Sequence, residues 1–403
     1  MVLKALKLPY LVRILYLNCM FKGLIFFILS ILTPHLAFAQ DGLVGFEWTF
    51  TNSDIVRNFK NMPTSTDMPP IPGRAMHDYM NTTVQAMQSS PISKASQTWL
   101  EEIKMACPDC TVKANTVYTP DGFWFKITKD QTVLEVITEP MTGDQLIQRS
   151  EILEDLVWRT AKKAYVVPHK RLGGGHLHLD IPTNFNNDRE LFRNFIVDLI
   201  NRPELFMGGL GLNYFNAPPL SFYSPNKLVG FKKIISDFDK DPTVTIKELM
   251  ERINTFYKTL PHPLIPTPSD KFQALNFKHL DIGTIEIRGL RPQISAEHAV
   301  KLVKLFQSRI AVLSAQPKLL KLRIPDYSLA YQAKRNNGYR VYTHDLAPSY
   351  IMAAVKNYAA AGDLEPELYS DFITEELKND LKIEIKNKKA SGSKSAGFCS
   401  SFL

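Results

Sequence analysis

Two periodicities divide the chain. Where apolar and polar residues alternate one by one, side chains project to opposite faces of a strand. Gly45–Phe50 puts Phe46, Trp48 and Phe50 on one face and Glu47 and Thr49 on the other. Val112–Tyr118 and Phe123–Thr128 flank Thr119-Pro120-Asp121-Gly122, a turn sequence, which predicts an antiparallel pair. Lys129-Asp130-Gln131 turns the chain into Thr132–Ile137, where Val133, Glu135 and Ile137 share a face. In Gly173–Ile181, Leu177, Leu179 and Ile181 face one way and His176, His178 and Asp180 the other. Phe272–Phe277 leads to Gly283–Arg288, where Ile285 and Ile287 oppose Thr284, Glu286 and Arg288.

Elsewhere the apolar residues recur every three to four positions, which predicts helices. Ser93–Ala106 lines Trp99, Ile103 and Ala106 along one side. Thr142 and Gln145 have capping-box spacing for a helix running to about Ala164, with Leu146, Ile147, Leu153, Leu156, Val157 and Ala161 inward. Asn187–Ile200 is strongly amphipathic, and Thr245–Tyr257 is a further helix. Ser295 caps a helix from Ala296 to about Ala315, with Val300, Val303, Phe306, Ile310 and Leu313 inward. Met62–Pro72, Arg202–Pro225 and Leu260–Ser269 read as loops, the second long enough to border a pocket.

Three of the strands carry unusual polar residues. Glu135 is a carboxylate between apolar neighbours, which points to pairing, ligation or an exposed edge. His176 and His178 sit about 6.5–7 Å apart along their strand, with Asp180 next in the row. Two imidazoles at that spacing suit a metal ion or a phosphate as well as a structural role. The glycines before them precede a strand, not a helix, and do not form a nucleotide P-loop. Taken alone, Glu286 and Arg288 read as an ion pair on a solvated face.

The net charge is +8, and it falls to +4 once the four cations of residues 1–39 (Lys4, Lys7, Arg13 and Lys22) are set aside. That balance, with no basic block interleaved with aromatics, argues against a nucleic-acid partner. Phe21-Lys22 leads into the apolar run Gly23–Leu32, and Ala37-Phe38-Ala39 offers a small-x-small cleavage site, so residues 1–39 read as a signal peptide, with Met20 a possible start. An uncleaved anchor is the alternative, but the run is short for a full span and is broken by Pro34 and His35. Cleavage would leave no stable membrane span and a secreted or periplasmic protein. There, Cys107 and Cys110 would close a small disulfide loop; a zinc ribbon would need a second pair. The expected organisation is 1–39 leader, 40–315 main domain, 316–385 helical extension and 386–403 disordered tail.

Four pieces occur in order: Gly45-Phe46-Glu47, Leu134–Pro140, Gly175–His178, and Leu275-Asn276 followed by Gly283–Arg288. This set resembles the amidoligases of the glutamine synthetase and glutamate–cysteine ligase superfamily, over roughly Asp41 to Ala315. The resemblance implies an α+β fold, with an antiparallel curved sheet (a half-barrel) and helices packed on its outside. It also implies ATP, Mg2+ and ligation of a carboxylate to an amine through an acyl phosphate. Small molecules or peptides, including cell-wall peptides, would be the substrates. Carried over by position, Glu47, Glu135, His176 and Glu286 would hold metal. His176, His178, Arg288 and Thr49 would contact the nucleotide, and Glu286 and Arg288 would be catalytic. Hard oxygens for magnesium and a fixed guanidinium for phosphate charge are what acyl-phosphate formation needs.

Two features depart from that pattern. The family's first strand carries Glu-x-Glu, and here Thr49 stands at the second position. Export is also in tension with ATP, which is not expected outside the cytosol. Two rivals therefore stand beside the ligase: a ligand- or peptide-binding module that has lost catalysis, and a metal hydrolase built on His176 and His178.

Overall fold

A computed structural model describes residues 42–55, 90–130, 133–168, 174–207, 209–211, 217–260, 273–279, 281–316, 318–328, 332–336, 339–343 and 346–372. They all fall in one compact unit, Asp41–Leu403. The leader, the loop Met62–Pro72, the connector after Leu260 and the tail 386–403 lie outside the described residues.

Nine strands form one antiparallel sheet. They are β1 (Val44–Thr51), β2 (Thr111–Lys113), β3 (Thr116–Tyr118), β4 (Trp124–Asp130), β5 (Val133–Thr138), β6 (Val167–Pro168), β7 (Gly175–Asp180), β8 (Leu275–Asn276) and β9 (Thr284–Ile287). The order across the sheet is β2-β3-β4-β5-β1-β7-β9-β8, and β6 pairs with the end of β1. The end strands β2 and β8 do not meet, so the sheet is open. This is the expected α+β class: an antiparallel open sheet with helices around it. Val112–Tyr118, predicted as one strand, folds back as the hairpin β2–β3 about Ala114, whose φ is 53°.

The alternation read from sequence decides which face is core. Phe46, Trp48 and Phe50 of β1 lie beside Leu134 and Val136 of β5 and Leu177 and Leu179 of β7, which lie beside Ile285 and Ile287 of β9. All of them are buried. Helices seal this face. Trp48 meets Trp158 at 4.6 Å between ring centroids, and Phe50 meets Trp99 at 4.7 Å. The Trp99 Nε1–H donates to Thr160 Oγ1 at 2.8 Å, so its polar edge is also satisfied. Truncating one such aromatic to alanine would cost about 3–5 kcal/mol.

Helix α1 (Pro91–Ala106) is capped by Ser90 and buries Trp99 and Ile103. Ala106, at its last position, is exposed and not inward. Cys107 and Cys110 then form a disulfide. The helix predicted from Thr142 has its capping box, but it breaks at Arg149 into successive pieces: Gly143–Gln148, Ser150–Leu153, a π segment Glu154–Arg159, and Thr160–Lys163. Each break shifts the helical phase, so Leu146, Leu153, Leu156, Val157 and Ala161 are buried while Ile147 is exposed.

Helices α2 (Arg189–Asn201), α3 (Val229–Lys240), α4 (Ile246–Thr259), α5 (Ala296–Ser314) and α6 (Pro348–Ala360) complete the layer. α3 is an addition to the predicted set; its Phe231, Ile235 and Phe238 are buried. α5 starts at Ser295 as expected, with Val300 only half-buried. The stretch 316–385 contains α6 and also a separate hairpin of β10 (Gln332–Asn336) and β11 (Tyr339–Thr343). Among the described residues, no helix is long and apolar enough to cross a membrane.

Candidate active site

The face opposite the core carries the polar alternates. Strand register sets them in two adjacent rows: Glu47 stands opposite His176, and His178 stands opposite Glu286, which in turn stands opposite Asn276. Three sequence segments more than a hundred residues apart in places thus deliver their polar groups to one patch, through backbone pairing alone. The centre of this face is not solvated: Glu286 is 1% exposed, His176 3% and Arg288 7%, while Glu47 and His178 are half-buried. The surface ion pair expected from sequence does exist, with Arg288 Nη1 donating to Glu286 Oε1 at 2.7 Å, but it is buried.

Burial without partners would be prohibitive for such groups, and the contacts explain how it is sustained. His176 Nδ1 points between two carboxylates, 2.7 Å from Glu47 Oε2 and 3.2 Å from Glu286 Oε1. Asn276 Nδ2 donates to Glu286 Oε2 at 2.6 Å. His178 Nε2 lies 3.4 Å from Glu47 Oε1, close enough for an ion pair but without hydrogen-bond alignment. His279 Nε2 approaches Glu286 Oε2 at 3.4 Å, and the His178 and His279 rings meet edge-on at 5.1 Å.

The backbone reasons are local. Gly283, at φ 66°, makes the tight entry into β9, and its carbonyl accepts from Ile181 N at 2.9 Å. Thr284 N donates to His279 O at 3.2 Å, which holds the turn that folds His279 back toward Glu286. Beyond Arg288, Gly289 is approached by Gly211 so closely that a Cβ on Gly211 would fall 1.8 Å from the Gly289 carbonyl oxygen. Arg291 N adds a hydrogen bond to Leu210 O at 2.9 Å. Described residues of the Arg202–Pro225 stretch thus pack against the end of the strand, and most of them are buried.

Electrostatics follows from these contacts. Burial alone would raise the Glu47 carboxyl, but the imidazoles of His176 and His178 outweigh it and hold the group well below the usual carboxylate range. Burial likewise opposes ionisation of Glu286, yet contact with His279 and the charges of His176, Arg288 and His178 hold it at about 2. In turn, contact with Glu286 raises the His279 imidazole. Both carboxylates are therefore anionic at neutral pH. Three buried nitrogens remain without a partner: His176 Nε2, His178 Nε2 and Arg288 Nε.

The structure gathers Glu47, His176, His178, Glu286 and Arg288, and sets two predicted residues apart. Thr49 donates its hydroxyl to Gly174 O at 2.7 Å. Glu135 shares the polar face, paired with Thr49 one strand over, but does not belong to either cluster of potential ligand atoms. Asp180 is a helix cap, accepting from Thr183 N at 3.0 Å. His279 and Asn276 were not read as site residues. Asn276 could have been placed from the alternation of Leu275 and Phe277; His279 lies past the strand, where alternation has no force.

Two triads bring ligand atoms within 4.8 Å of one another: Glu47–His176–Glu286 and His178–His279–Glu286. In the first, two carboxylate oxygens and an imidazole surround the point that His176 Nδ1 now faces, which fits a divalent cation. One nitrogen among oxygens suits manganese at least as well as magnesium.

No protein-family model matches the chain, and no curated protein matches it. Solved structures are similar at low identity. A novel glutamine synthase homolog is 12% identical, over 89% of this chain and 71% of its own, with a TM-score of 0.35. GmaS in complex with ADP is 9% identical, over 87% and 72%, with a TM-score of 0.33. PafA, the ligase of the prokaryotic ubiquitin-like protein Pup, is 8% identical, over 88% and 66%, with a TM-score of 0.30. No residue role is transferred from them.

Proposed function

We propose that this protein is an ATP-dependent ligase that joins a carboxylate to an amine. The observation that carries the reading is the buried polar patch. Three of the four separated motifs that resemble the amidoligases converge on one patch through strand register, where Glu47 contacts His176, His176 contacts Glu286, and Glu286 contacts Arg288.

Glu47, His176 and Glu286 would hold a divalent ion, magnesium or manganese, which when bound supplies positive charge to the phosphates of ATP. Glu286 is oriented for this by Asn276 on one oxygen and Arg288 on the other. Arg288, with Nε still unpartnered, offers a fixed guanidinium to a phosphate or substrate carboxylate. His178 borders the same patch, opposite Glu286. The substrate is a small molecule or a peptide. Residues 1–39 would direct the protein out of the cytosol, to a periplasmic or extracellular place where nucleotide must be supplied.

The test is ADP release by the purified chain with magnesium or manganese, across panels of amines and carboxylates, in wild type and Glu286→Ala. Turnover in the wild type and its loss in the variant is the expected result. If nucleotide neither binds nor turns over with any combination, the ligase reading fails. Ligand binding insensitive to metal and to Glu286→Ala would instead mark a binding module. Metal-dependent hydrolysis without nucleotide would mark a hydrolase.

A further inference from the structure

We infer a second metal position, at His178, His279 and Glu286, that takes a transition-metal ion and shares Glu286 with the first. It stands apart from the ligase reading, because it depends only on the side chains. Their ligand atoms lie within 4.8 Å of one another. A tetrahedral ion bound at about 2.1 Å sets its ligands about 3.4 Å apart. His279 Nε2 and Glu286 Oε2 already stand at 3.4 Å. His178 Nε2 is buried without a hydrogen-bond partner, its nearest carboxylate oxygen, Glu47 Oε1, standing 3.4 Å away.

Glu286 is built to bridge. Its Oε1 faces His176 at 3.2 Å, while its Oε2 faces His279 at 3.4 Å. The hydrogen bonds from Arg288 and Asn276 fix that orientation, one to each oxygen. The two triads therefore meet on opposite oxygens of one carboxylate. Two imidazoles and one carboxylate select zinc, manganese or iron(II) over magnesium, which prefers oxygen donors. His279 is the only half-exposed member, 36% by side chain against 14% for His178 and 1% for Glu286, so it lies on the side from which an ion can enter.

The experiment is a metal titration of the full chain, stripped with a chelator and kept free of nucleotide. Zinc is followed by equilibrium dialysis, and manganese by electron paramagnetic resonance. Wild type is expected to bind two ions, with spin coupling between two manganese ions through the shared carboxylate. His279→Ala should bind one, its remaining affinity changed less than about threefold. His279→Glu, whose carboxylate reaches about as far as the Nε2 it replaces, should recover the second ion; this separates ligand loss from misfolding. Magnesium should compete at the second position at least about tenfold more weakly than manganese. A wild type that binds one ion or none, or a His279→Ala protein that still binds two, overturns the proposal. Nucleotide is absent throughout, so absence of the second ion alone leaves the ligase reading untouched, whereas a wild type that binds no ion counts against both.

Discussion

Two buried arginine–carboxylate pairs in this molecule have opposite characters. In the helical layer, Arg309 on α5 clasps Asp198 on α2 through two hydrogen bonds, Nε to Oδ2 at 2.8 Å and Nη2 to Oδ1 at 2.5 Å. Arg202 adds a third contact to the same carboxylate at 3.1 Å, and the Arg309 guanidinium lies 5.0 Å from the centre of the Tyr358 ring. No nitrogen of Arg309 and no oxygen of Asp198 is buried without a partner; only the neighbouring Tyr358 hydroxyl is. On the sheet, Arg288 and Glu286 make one hydrogen bond to each other, and the cluster around them leaves three buried nitrogens unpartnered. The first pair is closed and holds two helices together. The second is open, and the ligase reading proposed above gives its spare nitrogens to a ligand. Burial of charge by itself does not separate structure from function.

The comparison can be broken most sharply at the closed pair. Asp198→Ala should destabilise the protein by about 3–5 kcal/mol in urea denaturation, because it strands a buried guanidinium. It should not alter metal affinity in the protein that remains folded; a loss under about 1 kcal/mol would show that the pair is not structural. At the open pair the pattern reverses. Glu286→Gln keeps the shape and one neutral acceptor for Arg288, so it should cost less stability than Asp198→Ala, but it should lower metal-dependent nucleotide turnover about a hundredfold or more. A variant with full turnover would remove Glu286 from the chemistry.

His298 sharpens the contrast from a third, wholly structural position. It is buried at the start of α5, packs on Phe372 with ring centroids 4.7 Å apart, and burial, with Arg291 and Lys301 nearby, holds its pKa down at about 3. A histidine kept neutral in the fold contributes its full stability above its unfolded value, near 6.5, and loses it as pH falls toward the folded value. Between pH 7 and pH 5, wild type should lose about 2 kcal/mol that His298→Gln does not, measured as the difference of their denaturation midpoints. Equal losses would show that His298 does not set the acid limb.

Thr49 is the mildest test. Its hydroxyl is committed to Gly174 O, so Thr49→Val should cost about 1 kcal/mol through the stranded carbonyl. Metal affinity should stay within about twofold. A larger loss would make Thr49 a ligand after all, and the polar patch would extend further along β1.

The strand faces were legible because they need only alternation. Phe46, Trp48 and Phe50 could not face the same way as Glu47 and Thr49, whatever the rest of the chain does. The same holds for Ile285 and Ile287 against Glu286 and Arg288. The helix starts at Thr142, Thr245 and Ser295 were legible because a cap bonds within its own turn. Ile147 and Ala106 were misplaced because a break in phase or a helix end overrides the periodicity on which the expectation rests.

The sequence by itself thus determined which residues share a face, where most helices begin, and which polar groups had to be accommodated on the strands. Tertiary structure alone decided that β1, β7, β9 and β8 lie side by side, so that Glu47 meets His176 and His178 meets Glu286. It decided that the centre of this polar face is buried, which turns an ordinary ion pair into a site with strongly biased carboxylates. It also brought in His279 through a turn. The physical reason is range: alternation and capping act over a few residues of chain, whereas strand register, desolvation and the meeting of charges depend on partners more than a hundred residues away.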